Sequence, residues 1–405
     1  MSTKAAIVQK TKAPNEHSID ETIAHDAGVL SGQLQVLFEK LFSPNARKEL
    51  RRFSSAEAAR LLGVTDSYVR HLATQGDGVT SEKTSGGRRT FSLEEVNAIR
   101  HQLSRTKPSY LPGRRQGDHL QVIAVTNFKG GSGKTTSSVH LAQYLALRGY
   151  RVLAVDLDPQ ASMSAMLGFQ PEFDVGENET LYGAIRYDDD RRNVSEVVRK
   201  TYFPGLDLIP GNLELHEFEH DTPTALADTS RNESEMFFMR VGNALQSLEG
   251  DYDIVVIDCP PTLGFLTLSA LCAATSVLIT VHPQMLDVAS MNQFLAMTSD
   301  LLSVVKGAGG NLQYDWMRYL ITRYEPNDGP QAQIVAFLRS LFGERVLTSM
   351  MVKSTAVSDA GLSKQTIYEA GRDTMHRQTY ERGVESMDGV NAEIDQLIRS
   401  AWSRP

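Results

Sequence analysis

The stretch from Val122 to Leu145 constrains this chain more than any other part of it. A short apolar run, Val122–Val125, leads into Thr126-Asn127-Phe128-Lys129-Gly130-Gly131-Ser132-Gly133-Lys134-Thr135-Thr136, after which Val139, Leu141, Ala142 and Leu145 recur at helical spacing. Strand, glycine-rich turn and helix, in that order, are what a phosphate-binding loop requires. Gly130, Gly131 and Gly133 let backbone N–H groups curl around an anion, Ser132 lies among them, and the following helix contributes its positive N-terminal end. Lys134 is placed to reach the β and γ phosphates of a nucleotide, and the hydroxyl of Thr135, followed by Thr136, is the expected Mg²⁺ ligand. Four more apolar runs, Val152–Val155, Ile254–Ile257, Val277–Val281 and Tyr319–Thr322, alternate with longer helical stretches. That alternation predicts an α/β fold, a mostly parallel sheet with helices on both faces.

Two of these strands end in carboxylates. Val152–Val155 runs into Asp156-Leu157-Asp158-Pro159-Gln160, and Ile254–Ile257 into Asp258-Cys259-Pro260-Pro261. The carboxyl edge of a parallel sheet is where ligands bind in such folds. Asp258 therefore has the position of a Walker B aspartate that can hold Mg²⁺ through water.

At 405 residues the chain is too long for one hydrophobic core, and its amino-terminal part is different in character. Ala46 to Asp118 carries 14 Lys and Arg against 8 Asp and Glu, so the remainder is more acidic than the overall charge of −8. Residues 1–45 are expected to form a flexible arm, to about His25, and then an amphipathic helix between Gly28 and Phe42, with Val29, Leu30, Leu34, Leu37 and Leu41 along one stripe. That stripe suits either docking on the basic module or pairing with a second subunit. Residues 46–107 form the basic module. Ser54 with Glu57 has capping-box spacing and opens a helix that stops at Gly63. Thr65 or Asp66 opens a second helix, with Val69 and Leu72 inward and Ser67, Tyr68, Arg70, His71 and Thr74 outward. A polar hairpin, Thr80 to Phe91, carries Lys83, Arg88 and Arg89 around Gly86-Gly87, and Ser92 with Glu95 caps a last helix to Leu103. Helix, turn, helix and basic hairpin are the order of a winged helix-turn-helix, whose second helix enters the major groove of DNA while the wing touches backbone or minor groove. Ser67, Tyr68, Arg70, Lys83, Arg88 and Arg89 are its expected DNA contacts. Residues 108–118, with Pro108, Pro112 and a Gly113-Arg114-Arg115 turn, are expected to link it to an ATPase domain over 119–405.

The string KGGSGKTT, Lys129 to Thr136, resembles the deviant Walker A motif of the ParA/MinD family, with Phe128 where the common pattern has glycine. Together with DLDPQASMSAMLG and the amino-terminal FSSAEAARLLGVTDSYVR it is most similar to the large plasmid ParA proteins of the RepA type from repABC replicons. The resemblance implies an ATPase using ATP and Mg²⁺ that closes as a sandwich homodimer. In it Lys129 reaches the partner's phosphates and Asp158 sits near the attacking water and Mg²⁺. It also implies non-specific DNA binding, hydrolysis stimulated by a ParB-like centromere-binding protein, repression of its own operon, and a place in the cytoplasm on the nucleoid. Lys353, five residues before Ser358-Asp359-Ala360, resembles a DNA-contacting position of the family, whose second arginine is Ala356 here; Ala161-Ser162 likewise replaces the Gly-Asn pair of many small ParA proteins. A nucleotide-regulated repressor without a segregation role is the alternative from another class.

Other classes fit poorly. No apolar run approaches the roughly 20 residues of a transmembrane helix, and Met1 to Asp20 lacks a secretory core. The carboxyl-terminal stripe Val390, Ile394, Leu397, Ile398 and Trp402 is surrounded by Asp388, Glu393 and Asp395, which favours packing on the domain over a basic membrane anchor, so no membrane partner is expected. Cys259 and Cys272 give neither a disulfide framework nor a cluster site, and ten histidines show no metal-ligand spacing.

Overall fold

The computed structural model describes residues 19–41, 48–75, 81–83, 86–228, 236–310, 312–371 and 375–404. Among the described residues the amino-terminal unit holds one helix, Ile19–Leu41. It starts well before Gly28, so the end of the expected flexible arm is helical instead. Asp20 and Glu21 in its first turn complement the positive helix end and extend it in that direction. Ile19, Ile23, Val29 and Leu30 are exposed, while the side chains of Leu34, Leu37 and Leu41, and Phe42 itself, lie outside the described residues.

The winged module follows. Strand β1 (Phe53–Ser54) leads into the helix Ser55–Leu62, the helix Asp66–Gln75, β2 (Glu82–Lys83), β3 (Arg89–Phe91) and the helix Leu93–Ser104. Both predicted capping boxes form: Ser54 with Glu57, and Ser92 with Glu95. Gly63, at φ 68°, ends the first helix in the left-handed conformation that its tight turn requires. The three strands form an antiparallel sheet ordered β1-β3-β2, with Phe53 opposite Phe91 and Lys83 opposite Arg89. Phe53, Ala58, Leu62, Val69, Leu72, Phe91, Val96 and Ile99 make its core.

The segment 108–118 does not run free. Arg114 donates from its backbone to Asp253 Oδ1 at 3.0 Å and from Nε to Tyr252 O at 3.1 Å, and Arg404 donates to the carbonyls of Pro112 and Gly113. A Cβ on Gly113 would lie 2.9 Å from Asp253 Oδ2, so only glycine lets the chain pass there.

Behind it stands a seven-stranded sheet in the order β10-β9-β4-β8-β5-β7-β6, built from β4 (Gln121–Thr126), β5 (Val152–Asp156), β6 (Arg199–Lys200), β7 (Leu206–Ile209), β8 (Ile254–Asp258), β9 (Ser276–Val281) and β10 (Trp316–Ile321). All its pairings are parallel except the edge pair β6–β7. Alternation along each strand divides the apolar side chains between two clusters. Ile123, Val125, Val152 and Ala154 pack toward the helices Lys134–Arg148 and Arg377–Ala401. Val122, Ala124, Leu153 and Val155 pack toward the opposite layer, which includes the helices Phe237–Gln246, Phe265–Ala273 and Met285–Gly307. In the carboxyl-terminal helix Val390, Ile394 and Ile398 are buried, and Trp402 Nε1 donates to His119 O at 2.9 Å; the stripe packs on the domain, as its acidic flanks predict.

Candidate nucleotide-binding site

The loop between β4 and the helix Lys134–Arg148 is shaped by two glycines at positive φ, Gly131 (75°) and Gly133 (87°). Neighbouring strand ends brace it. Asn127 Nδ2 donates to Thr280 O at 2.6 Å, Ser132 Oγ lies 3.0 Å from Thr280 Oγ1, and Thr322 Oγ1 donates to Ser132 O at 2.7 Å. A Cβ on Gly133 would meet Thr322 Cβ at 3.3 Å, so the brace and the glycine fit each other. Sequence reasoning singled out none of Asn127, Thr280 and Thr322 as partners, because the last two lie 153 and 190 residues from the loop groups they hold.

Inside the loop Lys134 is 6% exposed, and its Nζ donates to the Lys129 carbonyl at 3.3 Å. Burial pulls its pKa below the usual lysine range, against the nearby charges of Asp258 and Asp158, which hold it up. Thr135 Oγ1 donates to Asp258 Oδ2 at 2.6 Å, and Ser138 Oγ lies 2.9 Å from Asp258 Oδ1. Asp258 is fully buried, which pushes its pKa up to about 6 despite those two hydroxyls. Asp156, equally buried, is pushed up to about 8; its Oδ2 accepts from the amide and hydroxyl of Ser164 at 2.8 and 2.7 Å, and its Oδ1 accepts from the Asp158 amide at 3.3 Å. Asp156 thus anchors the turn that presents the half-exposed Asp158, whose own Oδ1 accepts from the Gln160 amide at 3.0 Å. Lys134, Thr135 and Asp258 come together as predicted. Lys129 lies at the exposed side of the loop in an ion pair with Asp287, at the start of the helix Met285–Gly307, and Asp287 Oδ2 also meets His282 Nδ1 at 2.9 Å.

The residues predicted for DNA lie in two separate segments of the chain. Ser67, Tyr68 and Arg70 are exposed on the second helix of the winged module while Val69 and Leu72 are buried, and Arg70 pairs with Asp66 one turn away. Lys83 and Arg88 are exposed on the wing; Arg89 is half-buried and donates to Ser81 Oγ at 2.7 Å. Residues 84–85 at the wing tip lie outside the described residues. Lys353 is exposed far from the wing in sequence, 3.0 Å from Glu325.

A family profile described as AAA domain matches residues 120–306, and one described as MerR HTH family regulatory protein matches residues 53–102. A relative from Rhizobium rhizogenes that carries the name replication protein A is 56% identical over 396 residues, 97% of this chain and 98% of its own length. Protein SopA of Escherichia coli (strain K12) is 31% identical over 372 residues, 89% of this chain and 92% of its own. The chain belongs to the ParA-type plasmid partition ATPases. Its position among the members with an amino-terminal helix-turn-helix, the RepA type included, follows from the same coverage, since both relatives align across the winged module as well as the sheet. A solved structure titled Partition Protein shares the fold, with a TM-score of 0.61 over 90% of this chain and 99% of its own at 19% identity. Among the described residues no helix is long and apolar enough to cross a membrane.

Proposed function

We propose that this chain is a Mg²⁺-dependent partition ATPase that closes as a homodimer around ATP and binds DNA of any sequence in that state. A ParB-like centromere-binding protein stimulates hydrolysis and release, and the winged module represses the protein's own operon. The protein acts in the cytoplasm on the nucleoid. The carrying observation is the convergence of Lys134, Thr135 and Asp258 at one end of the sheet, with Asp158 on the adjoining turn and Lys129 at the open side of the loop.

Each residue has a role in this reading. Gly130, Gly131, Ser132, Gly133 and Thr136 surround the phosphates, Lys134 holds the β and γ oxygens, and Lys129 crosses to the partner's nucleotide. Asp158 orients the attacking water. The oxygen donors Thr135, Asp158 and Asp258 suit a hard cation such as Mg²⁺, and burial has already made the ionised form of Asp258 costly, a cost that a cation offsets. Among the described residues no group of three or more His, Cys, Asp or Glu is spaced to hold a metal ion. Bound Mg²⁺ supplies charge neutralisation on the β and γ oxygens. Basal turnover is slow in this reading, with Asp158 the group that orients the water.

Binding assays on arbitrary duplex DNA with no nucleotide, ADP and ATP test the reading. It requires ATP-dependent binding to arbitrary DNA and a dimer on sizing columns. A protein that binds its own upstream region in a nucleotide-dependent way but ignores arbitrary DNA is a regulated repressor instead.

A further inference from the structure

Arg100, on the last helix of the winged module, is 2% exposed. Its guanidinium donates to Leu61 O and to Leu147 O, each at 3.0 Å, and to Asn97 Oδ1. Leu61 lies in the last turn of the first helix of the helix-turn-helix, and Leu147 in the last turn of the helix that begins at Lys134 in the phosphate loop. A buried cation is costly unless offset. Here two helix carboxyl ends, each equivalent to about half a negative charge, face one positive group. Burial and the charge of Arg148 still lower the Arg100 pKa to about 10. Space is tailored to it: Gly149, at φ +99°, lies under the side chain, and a Cβ there would fall within 2.7 Å of Arg100 Cδ.

A second contact leads to the same helix through Tyr368. Arg51 Nε donates to Tyr368 O at 3.2 Å, and the Tyr368 ring lies 5.7 Å from His140 and 6.3 Å from Tyr144, both on the helix Lys134–Arg148. That helix is a rod about 22 Å long at roughly 1.5 Å per residue. One end shapes the phosphate site and the other meets the winged module. Past Leu61 the chain turns at Gly63 directly into the helix Asp66–Gln75, which presents Ser67, Tyr68 and Arg70.

We propose that Arg100 is a positioning residue that couples the two ends: it fastens the winged module to the phosphate-loop helix, so that what the loop holds sets how strongly the recognition helix binds operator DNA. This rests on the reading that the loop binds nucleotide and the module binds an operator. Coupling of this kind is reciprocal, because both ligands bias the same arrangement.

The test uses full-length protein, a duplex from upstream of its own gene, a random duplex of equal length, and labelled ADP. In the native protein ADP should change the affinity for the upstream duplex by about five-fold or more, and the duplex should change ADP affinity by the same factor. In Arg100→Met both factors should fall below about two, while ADP affinity without DNA stays put, a separation that simple destabilisation does not produce. One terminal nitrogen of Arg100 makes both carbonyl bonds while the other is held by Asn97 Oδ1. Arg100→Lys keeps the charge but loses the Asn97 bond and the planar fork that orients the nitrogen, so it should lose part of the coupling. Full coupling in Arg100→Met, or none in the native protein, overturns the proposal. Equal affinity of the native protein for the two duplexes in every condition overturns the operator reading itself, and absence of ADP binding overturns the nucleotide reading. Should the variants fail to fold, hydrogen exchange on the native protein decides: amides around Leu61–Asp66 and Leu147–Tyr150 should change protection together on ADP addition, and no change at either place refutes the coupling.

Discussion

At Lys129 the chain keeps its family-specific cation occupied within the same subunit, paired with Asp287, which also holds His282. If Lys129 serves the partner's phosphates, this pair has to open on dimerisation. Asp287→Asn weakens the hold, so ATP-dependent dimers should form at several-fold lower protein concentration, as sizing at graded concentrations would show. Lys129→Gln should impair dimerisation and stimulated hydrolysis more than nucleotide binding, and mixing it with Asp158→Ala should restore some activity. Unchanged dimerisation in both Asp287→Asn and Lys129→Gln removes the pair from the mechanism. The roles of Lys134 and Asp158 separate differently. Lys134 is buried against the loop, so its loss as Lys134→Ala should abolish nucleotide binding and turnover alike. Asp158 is half-exposed on a turn that Asp156 anchors. Asp158→Ala should therefore keep nucleotide affinity and lose about 10²-fold or more in turnover, the scale of a positioned proton acceptor. Near-native hydrolysis by that variant would exclude Asp158 as the group orienting water.

Between elements, the phosphate-loop helix is tied to the segment Thr366–Ala370 by a buried polar network. His140 Nδ1 donates to Thr136 O at 2.7 Å and Nε2 accepts from the Ile367 amide at 3.3 Å, which fixes the neutral tautomer; Gln143 meets Glu369 at 2.5 Å. Burial lowers the His140 pKa to about 4. A histidine near 6.5 when unfolded and near 4 when folded binds its proton more tightly in the unfolded chain. Its contribution to stability is therefore complete above about pH 6.5 and is lost as pH falls toward 4, by ~3 kcal/mol at full titration. Thermal midpoints from pH 7 to 5 should fall less steeply in His140→Gln than in the native protein, and parallel curves would contradict the assignment. Neither this network nor the braces on the loop were legible in the sequence. The strands and the loop were, because each is a contiguous pattern; contacts such as Thr322 to Ser132 join residues with no local signal between them. The strand Leu206–Ile209 also escaped prediction. It is four residues long and contains Asp207, whose carboxylate is buried against the Tyr252 hydroxyl and Lys200, so its pattern resembles a loop. The winged module was readable because capping boxes and Gly63 punctuate it at fixed spacing. Its operator role is open to a direct test: Arg70, Arg88 and Arg89 replaced together by alanine should derepress the operon and spare ATP hydrolysis, whereas an unchanged operator footprint would defeat the winged-helix assignment.

Over the whole molecule, charge is unevenly shared: the winged module is basic, while the chain as a whole carries −8. An acidic body that binds DNA of any sequence needs a local basic face, since phosphate contacts alone are indifferent to sequence. Lys353 is the candidate for that face. It is exposed, its amide donates to Tyr324 O at 2.9 Å, and its ammonium lies 3.0 Å from Glu325. An exposed pair of this kind is worth about 0–1 kcal/mol, so a phosphate can displace Glu325 readily. The two partners should act in opposite directions. Lys353→Glu should weaken ATP-dependent binding on unrelated sequences by a similar factor, flatten the slope of log affinity against log salt by about 0.9 for the lost phosphate contact, and leave operator footprints intact. Glu325→Gln should strengthen the same binding, because the ammonium no longer has a competing carboxylate. Salt titrations on non-operator DNA with ATP, run on the native protein and both variants, measure all of this. Should Lys353→Glu leave the salt slope unchanged, this face carries no phosphate contact. A slope that instead collapses in the Arg70, Arg88 and Arg89 triple variant would assign non-specific binding to the wing.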